Sequence, residues 1–158
     1  RGAQMNHETF YRSIFYSAAI YNIAWGLTTV LFPNLMFELL GIEPLNYPFM
    51  MSGIGMMVGV YGYGYWVVAR HIRQYPQLVV IGIMGKLLGA VGWSYHVYLG
   101  DIPAYSLWMN VFNDVIWLPL FVGYLFWVLR AIDKRISSLV KRCDHYDVLS
   151  VNYLSLSW

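Results

Sequence analysis

Long apolar runs, interrupted by short polar or proline-bearing segments, set the pattern of this chain. Four of them reach the length of about 20 residues that a helix needs to cross the hydrocarbon core of a bilayer. They cover 14–32, which stops before Pro33, then 48–69, 78–99 and 107–129. The segments between them carry turn residues, as in Gly100-Asp101-Ile102-Pro103, and have the length of hairpin connections rather than domain linkers. The first run is long enough to span and is followed by no small-residue cleavage pattern, so it reads as a span and not as a signal peptide.

Beyond the last run the period changes. Ile132, Ile136, Leu139, Val140 and Cys143 alternate at helical spacing with Lys134, Arg135, Lys141 and Arg142. A basic amphipathic helix next to a span lies on an anionic leaflet or docks on a partner subunit. The final residues, with Leu149, Val151, Tyr153, Leu154, Leu156 and Trp158, are apolar and add weight to docking. The fold predicted is therefore all-α, with a four-helix transmembrane bundle over 1–130 and a C-terminal cytoplasmic amphipathic helix within 131–158.

Composition strengthens the bilayer reading. The chain is 59% hydrophobic and 11% charged, where soluble domains carry roughly a quarter charged residues. Orientation follows from the basic residues, because cytoplasmic loops are enriched in Lys and Arg. Arg1, Arg12, Arg70, Arg73, Arg130, Lys134, Arg135, Lys141 and Arg142 all fall on one side of the predicted spans. The opposite loops contain Glu38, Glu43 and Asp101 and no Lys or Arg, which puts both termini in the cytoplasm. A net charge of +2 without a basic, aromatic-interleaved run excludes a nucleic-acid partner. The single cysteine, Cys143, excludes an internal disulfide or a thiolate metal cluster.

Small residues predict how the helices meet, since lipid gives no hydrophobic drive for association and close backbone approach matters more. Gly55 and Gly59 stand on the second predicted span. Gly82, Gly85, Gly89 and Gly92 follow at spacings of three, four and three on the third, forming one groove along a helix face. Such a groove is a packing seam or a slot for a flat or isoprenoid ligand.

Ionisable groups at membrane depth are costly and mark functional sites by default. Lys86 falls mid-way along the third span and Asp114 about two turns into the fourth, an axial offset of roughly 7 to 8 Å that a lysine can largely bridge. Helical phase adds Asn113 and, from neighbouring spans, Asn22 and His96, so the predicted polar cluster is Asn22, Lys86, His96, Asn113 and Asp114. Three roles fit the Lys86 and Asp114 pair: fixing helix register as a neutralised pair, relaying a proton or ion, or orienting a ligand in a pocket between helices. No cofactor or metal is predicted. His96, alone at membrane depth, either satisfies a neighbour or serves as the single axial ligand of a pigment such as a chlorin or haem. A nucleophile elbow, a phosphate loop and a dinucleotide fingerprint are all missing, so no catalytic residue is assigned.

The stretches Asn46-Tyr47-Pro48, Gly53 to Tyr65, Gly85-Lys86-Leu87-Leu88-Gly89 and Asn113 to Pro119 resemble a group of small bacterial four-span membrane proteins over about 25–129. That resemblance implies the four-span fold and a bacterial inner-membrane location, and it draws attention to Lys86, Asn113 and Asp114. A looser architectural similarity links the chain to sterol-isomerase-like four-span bundles, although the pair of pocket carboxylates those carry is missing. The function expected is that of a non-catalytic membrane protein in contact with membrane lipid, either an accessory subunit of a larger membrane complex or a binder of a small apolar ligand. The alternative is an enzyme or transporter for a lipid, quinone or sterol-like compound, working through Lys86 and Asp114.

Overall fold

The computed structural model describes residues 2–44 and 46–155, with side chains for 7–44, 46–140 and 142. All regular structure among the described residues is helical. In chain order the elements are α1 (Gly2–Leu31), α2 (Leu35–Leu39), α3 (Pro48–Arg70), α4 (Pro76–Leu99), a 3-10 turn (Ala104–Ser106), α5 (Leu107–Asn110), a π-helical turn (Val111–Val115) and α6 (Trp117–Ser155). The chain divides into two compact units, residues 1–124 and 125–158.

Boundary residues explain these limits. Pro48 and Pro76 occupy the first turns of α3 and α4, where a missing N–H costs nothing. α4 closes at Gly100, whose φ of 84° is the left-handed conformation that glycine adopts without strain. The Gly100 and Asp101 amides donate there to the carbonyls of Val97 and His96 at 3.1 and 3.0 Å. α1 begins at Gly2, well before the apolar run, and Glu8 and Arg12, one turn apart on that extension, form an ion pair at 2.9 Å.

Among the described residues three helical segments, rather than four, are both long and apolar enough to cross a membrane: His7–Leu31, Pro76–Leu99 and Ala104–Val140. This is compatible with an integral membrane location. α3 has the length, at 23 residues, which is about 34 Å of helix. Its apolarity is diluted by Gly53, Gly55, Gly59, Gly62 and Gly64 and by Tyr61, Tyr63 and Tyr65.

Within the first unit, α1 and α3 run antiparallel with their backbones nearly touching. A Cβ placed on Gly26 would stand 2.6 Å from the Gly55 carbonyl oxygen, and one on Gly55 would stand 2.7 Å from that of Gly26. Farther along, a Cβ on Gly62 would meet the Ile23 side chain at 2.8 Å. At the end of this pair Arg12 donates to the carbonyls of Ala69 and Arg70 at 2.7 and 3.1 Å. Glu8 also accepts from Arg73 at 3.2 Å. Phe15 fixes the next layer, stacked on Phe121 with centroids 5.1 Å apart and meeting Tyr124 edge-on at 4.8 Å. Tyr124 is buried and donates to the Ile72 carbonyl at 2.7 Å, and the Tyr105 hydroxyl donates to the Leu40 carbonyl.

The second unit is the remainder of α6, which continues past Ala131 with no break at the expected start of a separate surface helix. Ile136, Leu139 and Val140 are exposed on it, as are Lys134 and Arg135. The side chains of Lys141, Cys143 and 149–158 lie outside the described residues.

The contact between α1 and α3 yields a prediction. Gly26→Ala sets a methyl against backbone, and overpacking of that kind costs about 1 to 3 kcal/mol. Gly53→Ala, which meets nothing within 4 Å, adds helix propensity and is neutral or stabilising. Thermal unfolding in one detergent checks the pair, and equal melting temperatures for the two variants would contradict the packing described.

Candidate functional site

The polar centre of the first unit joins α4 to the π-helical turn. Lys86 is 5% exposed and Asp114 9%. The Lys86 ammonium donates to the Asn113 carbonyl at 2.6 Å and to Asp114 Oδ1 at 3.3 Å. Asn113 thus contributes through its main chain. The turn makes this possible: the Ile116 amide reaches back five residues to the Val111 carbonyl at 3.0 Å, and one residue is accommodated in a bulge. π-Bulges of this kind recur at functional sites. Pro119, which has no N–H to return to the ladder, is a local reason for the irregularity.

Glycine makes room for the pair. A Cβ on Gly89 would sit 3.0 Å from Asp114 Oδ2, so the carboxylate lies against bare α4 backbone. Two further α4 glycines receive tyrosines from α3: a Cβ on Gly82 would be 2.6 Å from the Tyr65 hydroxyl, and one on Gly85 would be 3.4 Å from that of Tyr61. At Gly59 and Gly92 an added Cβ would meet open space, although the Gly59 backbone itself lies against α1, its amide nitrogen 2.9 Å from a Cβ placed on Gly26.

Beside the pair lies a cavity of about 260 Å³. Asn22, Lys86, Asn113 and Asp114 line it together with Ile54, Val58, Tyr61, Tyr65, Gly82, Gly85 and Gly89. Asn22 donates to the Ala18 carbonyl of its own helix at 2.8 Å, which fixes its amide at the wall. A second void of about 90 Å³ also reaches Asn113 and Asp114, among Tyr21, Trp25, Trp93 and Trp108. Asn110 donates to the Ala90 carbonyl and to Ser94 Oγ, both at 3.1 Å, tying α5 to α4. Its Oδ1 and the Trp117 Nε1 are buried without a hydrogen-bond partner.

Four of the five residues predicted for the polar cluster therefore meet around one cavity. His96 does not join them. It sits ten residues beyond Lys86, about 15 Å along the helix axis, with an exposed ring whose Nδ1 is 2.8 Å from Asp101 Oδ2. Among the described residues no three His, Cys, Asp or Glu side chains converge in a metal-binding group. Tyr61 and Tyr65, outside the expected cluster, complete the cavity wall. Their spacing of four on a glycine-rich helix was the available signal, because it puts both on one face. No protein family, curated protein or solved structure matches the chain.

The arrangement places one cation and one anion, mutually paired, at the wall of a largely apolar space. Breaking such a pair from one side leaves an uncompensated buried charge and costs about 3 to 5 kcal/mol. Lys86→Met and Asp114→Leu are each expected to destabilise by that order, while the double variant recovers a large part of the loss. Unfolding of the four proteins in a common detergent provides the cycle, and strictly additive losses would contradict the pairing.

Proposed function

We propose that this protein is a four-span integral membrane protein, with α1, α3, α4 and the α5–α6 segment as spans, that binds a lipid-soluble ligand bearing one polar group. The observation carrying this reading is the burial of Lys86 and Asp114 at the wall of the 260 Å³ cavity whose other walls are mainly apolar. An ammonium has three N–H donors. Two serve Asn113 and Asp114, so the third is available to an acceptor on the ligand, such as a carbonyl or hydroxyl oxygen. The rest of the ligand would contact Ile54, Val58 and the tyrosine rings.

The fourth span rests on α3, whose length of about 34 Å exceeds the roughly 30 Å hydrocarbon core. Its antiparallel contact with α1 and the junction of Arg12 with its last carbonyls support the same reading. The order of basic residues along the sequence, at 12, 70 and 73 and again from 130 onward, favours cytoplasmic termini in a bacterial inner membrane. The stretch from residue 131 serves here as a cytoplasmic amphipathic helix. A second reading, an accessory subunit of a larger membrane complex, is favoured by the exposed Ile136, Leu139 and Val140 on that helix.

Binding is preferred to catalysis because the cavity offers a single carboxylate already held by a lysine. An enzyme or transporter for a quinone, lipid or sterol-like compound would use the same two residues, and conversion or movement of the bound compound would reveal it.

The test is mass spectrometry of organic extracts from protein purified in mild detergent. The full-length protein is expected to carry a stoichiometric lipid-soluble compound, and Val58→Trp, which fills the cavity without touching the ion pair, is expected to carry none. An empty full-length protein, or equal occupancy in the variant, would overturn the reading.

A further inference from the structure

A second site lies at the Arg70 end of α3, away from the ion-pair cavity. There a hollow of about 260 Å³ is lined by Tyr63, Trp66, Val67, Arg70, His71 and Tyr75. The Arg70 guanidinium stands over the Trp66 ring, 5.2 Å from its centroid. Tyr63 stacks on Trp66 at 5.9 Å, and His71 meets Tyr75 edge-on at 5.8 Å.

The charges around this hollow do not balance. Glu8 is held by both Arg12 and Arg73. Among the described residues no carboxylate forms an ion pair with Arg70. A helix C-terminus ordinarily repels anions through its free carbonyls. Here Arg12 donates to the carbonyls of Ala69 and Arg70, which removes that obstacle and adds a second positive charge nearby. Aromatic rings around an arginine at a helix end also match the level of lipid headgroups, where Trp and Tyr concentrate.

We propose that this hollow binds the phosphodiester of an anionic glycerolipid, with the Arg70 guanidinium donating to the phosphate oxygens. Guanidinium and phosphate match as a two-bond fork, and Trp66 holds the guanidinium plane in place from one side. Trp66, Tyr63 and Tyr75 pack against the glycerol and the first carbons of the chains. Basic pockets beside spans bind anionic headgroups through the same chemistry. The site rests on α3 crossing the membrane, as in the four-span reading, and is independent of the ligand at Lys86.

The experiment reconstitutes the full chain in equal phosphatidylglycerol and phosphatidylcholine, extracts it gently and reads the bound lipids by native mass spectrometry. Phosphatidylglycerol is expected to be enriched about fivefold over its share. Arg70→Gln should abolish the enrichment, Arg70→Lys should keep part of it, and the control Arg130→Gln should leave it unchanged. Enrichment that survives Arg70→Gln, or that falls equally in the control, would overturn the site. Loss of enrichment in millimolar inorganic phosphate would assign the hollow to free phosphate and overturn the lipid. Equal retention of both lipids contradicts the site alone, whereas retention of neither contradicts the membrane-spanning reading beneath it.

Discussion

The contact on which this structure turns is that of the Lys86 ammonium with the Asn113 carbonyl and the Asp114 carboxylate. A charge taken from water needs a partner and further hydrogen bonds to compensate its desolvation, and each local feature nearby serves that need. The π-helical turn over Val111–Val115 presents the Asn113 carbonyl and the Asp114 side chain to the same ammonium. Gly89 lets the carboxylate lie against α4, since any side chain there would crowd Asp114 Oδ2. Asn110, one turn earlier, fastens α5 to α4 through Ala90 and Ser94. Burial, backbone irregularity and a bare glycine thus have a common cause.

The rest of the first unit frames this contact. α1 and α3 approach through Gly26, Gly55 and Gly62 until carbonyl meets helix backbone, the kind of contact that drives helix association where hydrophobic burial cannot. On the other side of α3, Tyr61 and Tyr65 lie against Gly85 and Gly82 of α4. Small residues on one helix thus receive large ones from the next, and the space left over is the cavity beside Lys86. Asn22 reaches it from α1, its amide held by the Ala18 carbonyl.

Much of this was legible in the residues, and the gaps have physical reasons. Apolar runs marked the helical stretches, and α3 starts at Pro48 as expected, whereas α4 starts at Pro76 rather than 78 and α1 at Gly2 rather than 14. The partnership of Lys86 with Asp114 followed from the scarcity of charge within the long apolar runs. Four features were not legible. The break over Val111–Val115 shifts helical phase by an inserted residue, which an even period of about 100° per residue cannot register. The role of Asn113 passes through its carbonyl, a group that every residue has and that side-chain chemistry does not flag. His96 was grouped with Lys86 by phase, but the distance along the axis carried it to Asp101 instead. The run over 48–69 reads as a span by its length, but its glycines and tyrosines are only weakly apolar.

The most direct test of the central contact is solid-state NMR of the protein in lipid bilayers, with lysine labelled in ¹⁵N and aspartate in ¹³C. A through-space cross-peak between Lys86 Nζ and Asp114 Cγ, lost in Asp114→Asn and shielded from exchange with bulk water, is the expected result. A Lys86 Nζ with no aspartate neighbour, in free exchange with water, would contradict the buried pair and the cavity reading built on it.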